Sequence, residues 1–104
     1  LRKPDWWQSE YGRPFSAWRG RMAKAANTAY DAARQALEGA ATVDAARAAI
    51  EVFARHFNGM KGIETAERED IGEAVWQFSQ LARVVELGVT EAQAQRWFDE
   101  ARDY

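Results

Sequence analysis

Five carboxylates within ten residues are the side chains of this chain best suited to chemistry. They are Glu64, Glu67, Glu69, Asp70 and Glu73, and we call them the acidic cluster. On a helix, Glu69 and Glu73 share a face, and so do Glu67 and Asp70, because residues three or four apart lie side by side. Such pairs could bind a divalent metal ion or exchange a proton with a substrate.

A metal centre in a helical bundle usually combines inward-facing Glu with Glu-x-x-His motifs on several helices. The only histidine is His56, and the residue three positions before it is Phe53. The segment also lacks the alternating Asp and Asn ligands of a calcium-binding hand. A carboxylate-based metal-binding protein therefore stays an alternative, but we expect no metal and no other cofactor.

Helix electrostatics accounts for the same residues without any chemistry. Glu67, Glu69 and Asp70 fall in the opening turns of a predicted helix, where the positive end of the dipole favours each negative charge by about 0.3–1 kcal/mol. His56 falls in the last turn of the preceding helix, where a basic group is favoured for the same reason. Between them, Asn58 to Gly62 can change the direction of the chain. The stretch therefore indicates a helix boundary.

The sequence contains no residue pattern that is typical of another class of catalysis. The chain has no cysteine, which excludes thiolate nucleophiles, thiolate metal sites and disulfides. Its serines share a single histidine, and none stands in a Gly-x-Ser-x-Gly elbow. It contains no glycine-rich phosphate loop or dinucleotide fingerprint. We therefore expect that the protein is not an enzyme.

The elements that must position these side chains are predicted to be helices. Pro4 and Pro14 both precede Phe15, and the rest of the chain is rich in alanine, the best helix former. No stretch of the sequence alternates apolar and polar residues in the manner of a β-strand. Hydrophobic periodicity and capping residues predict four helices, at about 16–38, 42–57, 66–87 and 91–102, with Thr42 and Thr90 as caps.

The first predicted helix has an apolar face made mostly of alanine, which lets a neighbour approach closely. Its members are Trp18, Met22, Ala25, Ala26, Ala29, Ala33, Ala36 and Leu37. The second predicted helix has a main apolar face around Ile50 and Phe53. It also has a second face of small residues, namely Ala45, Ala48, Ala49 and Val52. Such a helix can touch neighbours on two sides, as a central helix of a bundle does.

The third predicted helix has the most regular core face. Its members recur at steps of four and three residues: Ile71, Val75, Phe78, Ala82 and Val85. Trp76 projects about 140° away from Ile71. It is therefore either exposed or covered by the N-terminal arm.

At 104 residues the chain is long enough for one hydrophobic core and too short for two. We predict a single all-α domain over 1–104, with a compact four-helix bundle-like core at 16–104 and an aromatic, irregular or short-helical arm at 1–15. No apolar run approaches the roughly 18 residues that span a bilayer. We expect a soluble, cytoplasmic protein and a further segment before Leu1.

The segment "ELGVTEAQAQRW", residues 86–97, resembles the turn and second helix of helix-turn-helix regulators, with Gly88 in the turn and Thr90 as the cap. A recognition helix needs base-reading and phosphate-neutralising side chains. The outward residues here are mostly acidic or amide: Glu91, Gln93, Gln95, Arg96, Asp99 and Glu100. A DNA-binding or transcription-regulatory domain is therefore an alternative, and we do not expect nucleic acid as the partner.

Charge distribution favours a protein partner. Residues 1–24 carry six basic and two acidic groups, and the remainder carries eight basic and fourteen acidic groups. A compact acidic cluster can steer association with a basic protein. We therefore expect a small helical interaction module, immunity-like or antitoxin-like, that binds through the acidic cluster. Trp6, Trp7 and Trp76 are predicted as an aromatic interface, and a homodimer is one arrangement that would use it.

Overall fold

The computed structural model describes Trp18 and residues 20–104, and the predicted arm at 1–15 lies outside this part of the chain. The described residues form five helices and no strand, which confirms the all-α class and the bundle-like architecture. The helices are α1 (Gly20–Glu38), α2 (Val43–His56), α3 (Thr65–Ser79), α4 (Ala82–Glu86) and α5 (Glu91–Ala101). None of them is both long and apolar enough to cross a bilayer.

The predicted threonine caps start two of these helices. The Thr42 hydroxyl accepts a hydrogen bond from the Ala45 backbone N–H at 3.1 Å, where α2 begins. The Thr90 hydroxyl accepts one from the Gln93 backbone N–H at 3.1 Å, where α5 begins. Each cap satisfies a backbone donor that the first helical turn leaves without a partner.

The helix predicted at 66–87 is divided in the structure, and in this respect the prediction was wrong. α3 ends at Ser79, whose hydroxyl donates to the Trp76 carbonyl at 2.6 Å. A serine hydroxyl bonded to a backbone carbonyl competes with the helical ladder, and Leu81 then takes an extended backbone conformation before α4 begins. The break moves the buried positions by one residue, so that Leu81 and Val84 are buried while Val85 is 59% exposed.

Aromatic contacts hold the core together. The Phe53 and Phe78 rings meet edge to face at a centroid distance of 4.9 Å, and Tyr30 stacks on Phe78 at 5.1 Å. Phe53 also meets Phe57 at 5.2 Å. All four rings are at most 1% exposed. The buried side of α1 is therefore centred on Tyr30, which the predicted alanine face did not include, whereas Ala36 of that face is exposed.

Long-range hydrogen bonds fix how the helices are arranged. α2 packs between α1 and α5, but Ala45, Ala48 and Val52 of its predicted small face stay exposed. The Arg83 guanidinium donates to the Ala40 carbonyl at 2.7 Å, which ties α4 to the end of α1. The Asn58 amide donates to the Ala101 carbonyl at 3.0 Å, and the Tyr104 hydroxyl donates to the Ala54 carbonyl at 2.9 Å. The connection between α2 and α3 is thus held by the end of α5.

Candidate functional site

Three residues of α3 form one exposed row, which we call the α3 face. They are Glu69, Glu73 and Trp76, spaced four and three residues apart, so their side chains lie on the same side of the helix. The row is about 10 Å long at the usual rise of a helix. Both carboxylates are exposed, and the Trp76 side chain is 43% exposed. The helix therefore presents negative charge and a large aromatic ring together.

The charge of the α3 face is not neutralised by the described part of the protein. Six ion pairs join described residues, and none includes Glu69 or Glu73. The Gln77 amide donates a hydrogen bond to Glu73 Oε2 at 3.2 Å, which orients that carboxylate without cancelling its charge. Both carboxylates can therefore attract a cation from outside.

A shallow cleft continues the α3 face towards α5. Trp76 and Val75 line one side of this cavity of about 350 Å³, and Glu91 and Gln95 line the other. Glu91 Oε1 accepts a hydrogen bond from the Gln80 amide at 2.8 Å, which joins the two helices beside the cleft. An indole ring flanked by carboxylates suits a lysine or arginine side chain, since the ring face and the carboxylates both attract positive charge.

The remaining members of the acidic cluster have different surroundings. Glu67 Oε1 accepts a hydrogen bond from the Glu64 backbone N–H at 3.0 Å, where α3 begins. Asp70 Oδ2 accepts one from the Trp18 indole N–H at 2.9 Å. Trp18 is buried and meets the Phe57 ring edge to face at 5.9 Å. Of the five predicted partner-binding residues, Asp70 is thus turned towards the core and Glu67 towards the helix end, while Glu64, Glu69 and Glu73 are exposed.

The electrostatic setting of Asp70 agrees with a structural role. Burial raises the pKa of its carboxyl above the ordinary value, and the hydrogen bond from Trp18 acts in the opposite direction. The nearby charges of Glu67, Glu69 and Glu73 raise this pKa further. A carboxyl that is half-buried and engaged in this way offers less charge to a partner than Glu69 or Glu73 does.

The remaining predicted residues are Trp6, Trp7 and His56. Trp6 and Trp7 lie outside the described residues. His56 is exposed, and its ring meets Phe57 at 5.0 Å. Among the described residues, no three His, Asp or Glu side chains lie close enough together to hold a metal ion.

The segment that resembles a helix-turn-helix has the expected turn but an unfavourable surface. Gly88 takes the left-handed conformation, with φ of 86°, and Thr90 caps α5. The helix before this turn, α4, has only five residues. The exposed side of α5 carries three carboxylates and one arginine: Glu91, Asp99, Glu100 and Arg96. Phosphates would be repelled by that surface.

A second surface is larger than the sequence indicated. α1 and α2 leave between them an apolar groove of about 570 Å³, which we call the α1–α2 groove. Phe53 forms its floor, and its walls are Thr28, Ala29, Ala32, Ala33, Ala36, Ala45, Ala48, Ala49, Val52 and His56. Val52 is 65% exposed. The predicted small face of the second helix is thus one wall of a two-helix surface. One sequence signal could have revealed this two-helix surface: uncharged residues recur at matching intervals in both helices.

Comparisons of this chain with protein-family models, curated proteins and solved structures found no match.

Proposed function

We propose that this chain is a non-enzymatic protein-interaction module that binds a basic partner through the α3 face. The row of Glu69, Glu73 and Trp76 is the observation that supports this function most. Tryptophan is enriched among the few residues that dominate binding energy at interfaces. A half-exposed tryptophan between carboxylates is therefore a suitable anchor for a cationic surface.

The two kinds of side chain have separate roles in this interaction. Glu69 and Glu73, supported by the exposed Glu64, attract the partner over a distance of about 10 Å at 0.1 M salt and so raise the association rate. Trp76 and the cleft beside it then take up an arginine or lysine side chain, and burial of the indole slows dissociation. Asp70 and Glu67 support the surface from behind, because they fix Trp18 and the first turn of α3.

An immunity-like or antitoxin-like inhibitor would use such a surface, since an acidic face can block the cationic site of a target that acts on nucleic acid. The absence of cysteine suits a reducing compartment. We therefore place the protein and its partner in the cytoplasm.

Affinity capture from an extract of the native host tests this function. The bait proteins are the wild-type chain, the variant Glu69→Lys/Glu73→Lys, and the control Asp99→Lys/Glu100→Lys, which makes the same change of charge on α5. We expect the wild type and the control to retain the same basic protein, and the α3 variant to lose it. High salt should release that protein, because the screening length falls to about 3 Å at 1 M.

Two results would contradict this function. One is a variant Glu69→Lys/Glu73→Lys that keeps the helical circular dichroism of the wild type and captures the same proteins in equal amount. The other is equal loss of capture by the α5 control, because binding would then depend on net charge and not on the α3 face.

A further inference from the structure

We propose that Asn58, which precedes Gly59, is a site of spontaneous deamidation, and that residues 102–104, which we call the tail, keep it unreactive while they are bound to it. Deamidation then releases the tail. The site lies in the connection between α2 and α3, and its chemistry needs no partner at the α3 face.

The sequence makes Asn58 the more reactive of the two asparagines in the chain. Deamidation begins when the backbone nitrogen of the next residue reaches the Cγ carbon of the asparagine side chain. Gly59 has no side chain to obstruct this approach, and it is exposed. The other asparagine, Asn27, is buried inside α1 and precedes the β-branched Thr28, which obstructs the same approach.

The reaction needs only water as a second reactant. The Gly59 nitrogen forms a bond to Asn58 Cγ, and the bond from Cγ to Nδ2 breaks. The Gly59 proton leaves with Nδ2 as ammonia, and a succinimide ring remains. Water that adds at Cγ breaks its bond to the Gly59 nitrogen and gives an aspartyl residue. Water that adds at the main-chain carbonyl carbon gives an isoaspartyl residue instead, whose backbone runs through the side chain.

Hydrogen bonds to the end of α5 and to the tail hold all three reacting groups. Asn58 Nδ2, the leaving group, donates to the Ala101 carbonyl at 3.0 Å. Asn58 Oδ1 accepts from the Asp103 backbone N–H at 2.9 Å. The Gly59 N–H, which carries the attacking nitrogen, donates to Asp103 Oδ1 at 3.4 Å. Because the Asn58 amide must rotate for Cγ to meet the Gly59 nitrogen, these bonds must break before the ring can close.

The tail can open without unfolding of the core. It lies beyond the last residue of α5, and the Tyr104 hydroxyl attaches it to the Ala54 carbonyl at 2.9 Å. Arg102 pairs with Asp99 of α5 at 3.0 Å, so that pair holds the base of the tail and not its end. Local opening that breaks few hydrogen bonds costs less free energy than global unfolding. The rate of deamidation in the folded protein therefore follows the population in which the tail is open.

The product cannot bind the tail as Asn58 does. A carboxylate oxygen replaces Nδ2 and faces the Ala101 carbonyl, so that two acceptors meet without a donor. The new negative charge also lies close to the Asp103 carboxylate, and like charges repel. The tail is therefore released once the reaction has occurred. Because ammonia has left, the change does not reverse.

The rate of deamidation tests the protection by the fold. The full chain is incubated in mildly alkaline buffer, once folded and once in concentrated urea, and mass spectrometry of its peptides measures the loss of Asn58. We expect the loss to be at least about tenfold faster in urea, because the tail no longer holds the site. Asn27 is the internal control and should remain intact in both samples.

Two variants test the tail itself. Tyr104→Phe removes the hydrogen bond to Ala54, and Asp103→Ala removes the acceptor of the Gly59 N–H. Each should speed the loss of Asn58 in the folded chain roughly threefold to tenfold, as expected for one lost hydrogen bond. The matched control is Thr42→Ala, which removes one hydrogen bond at the opposite end of α2. It should leave the rate within about twofold of wild type, because it does not open the tail.

The variant Asn58→Asp represents the product and tests the release of the tail. Hydrogen exchange of the Gly59 and Asp103 backbone N–H groups should be at least about threefold faster than in wild type, because the tail has left them. The backbone N–H groups of Val75 and Phe78 in α3 should exchange as in wild type, which shows that the core remains folded.

Several results would overturn this assignment. Asn58 that survives in urea as long as Asn27 is not a deamidation site. Equal rates in the folded and unfolded chain, or equal acceleration by Thr42→Ala and the tail variants, would show that the tail does not protect the site. Slower loss in Asp103→Ala would show that this carboxylate assists the reaction. Unchanged exchange in Asn58→Asp would show that the product keeps the tail bound.

Discussion

The α3 face and the α1–α2 groove are both exposed, but they differ in what can hold a partner. The α3 face combines carboxylates with Trp76, whereas the groove is walled by alanine and Val52. Attraction to the α3 face acts over a distance and weakens with salt. Association through the groove depends mainly on removing apolar area from water, which salt weakens little. Binding at the α3 face would therefore respond to ionic strength differently from binding in the groove.

Both surfaces rest on the same aromatic core. Phe53 is the floor of the groove, and it touches Phe78 on the buried side of α3 at 4.9 Å. The two surfaces thus differ only in their outward side chains. Substitutions at those positions can therefore change what a surface binds without disturbing the core.

The largest expected effect is on the free energy of unfolding, and it distinguishes Phe53 at the floor of the groove from Val52 in its wall. Phe53→Ala should lower the free energy of unfolding by about 3–5 kcal/mol, because it removes a fully buried ring and leaves a cavity. Val52→Ala should change it by less than about 0.5 kcal/mol, since that side chain is 65% exposed. Urea denaturation of both variants measures the two values. Equal losses of stability would mean that the groove wall is buried in the folded chain, which would contradict the distinction between floor and wall.

The next effect separates binding from stability at the α3 face. Trp76→Ala should weaken binding of the captured partner by at least about 2 kcal/mol, or roughly thirtyfold, as expected for an anchoring tryptophan. The free energy of unfolding should fall by less than about 1 kcal/mol, because the Trp76 side chain is 43% exposed. Titration calorimetry with the partner and urea denaturation of the variant give the two values. A variant that loses binding and stability together would show that Trp76 supports the fold.

A smaller effect on stability is expected at the N-termini of α2 and α3, the helices that carry the two surfaces. α2 begins at the Thr42 hydroxyl, and α3 begins where Glu67 accepts from the Glu64 backbone N–H at 3.0 Å. Thr42→Ala should cost about 1 kcal/mol, while Thr42→Ser should cost little because the hydroxyl remains. Glu67→Gln should cost less than Thr42→Ala, since the amide oxygen still accepts the hydrogen bond. Thermal unfolding can rank the three variants, and a larger loss for Glu67→Gln would show that its charge matters more than its geometry.

Local patterns in the sequence were sufficient for the fold class but not for every boundary. The alanine-rich composition, the absence of strand patterns and the Thr42 and Thr90 caps predicted the helices. The break after α3 was missed because Ser79 bonds to a carbonyl within a regular apolar pattern. Tyr30 was missed because its partners, Phe78 among them, come from other helices.

The sequence predicted a feature of the candidate surfaces only where that feature follows from residue spacing within one helix. The shared face of Glu69 and Glu73 follows from their spacing of four residues. The position of Asp70 does not, because its partner Trp18 is 52 residues away in the chain. The groove requires α1 and α2 to be placed side by side, which no single helix pattern specifies.

The smallest expected effect concerns the side of the acidic cluster that faces the core. Because the pKa of Asp70 is raised in the folded protein, the folded state holds more protons than the unfolded state in the window between the unfolded carboxyl pKa of about 3.9 and the higher folded pKa. The contribution of Asp70 to the free energy of unfolding therefore falls as pH rises through that window, and at pH 7 its charge opposes folding. Asp70→Asn keeps an oxygen that can accept from the Trp18 indole and carries no charge. We expect it to be more stable than wild type at pH 7, and no more stable below the window.

Urea denaturation of wild type and Asp70→Asn across the acidic range measures this difference, with Glu69→Gln as the control that removes an equal charge from the exposed side. If the two variants gain equally, the benefit comes from reduced repulsion within the acidic cluster, and Asp70 belongs with Glu69 and Glu73 after all. If Asp70→Asn is less stable at pH 7, the bond from Trp18 to an ionised carboxylate outweighs the cost of burial. Only a gain specific to Asp70 supports the division of α3 into one side that holds the fold and one side that faces a partner.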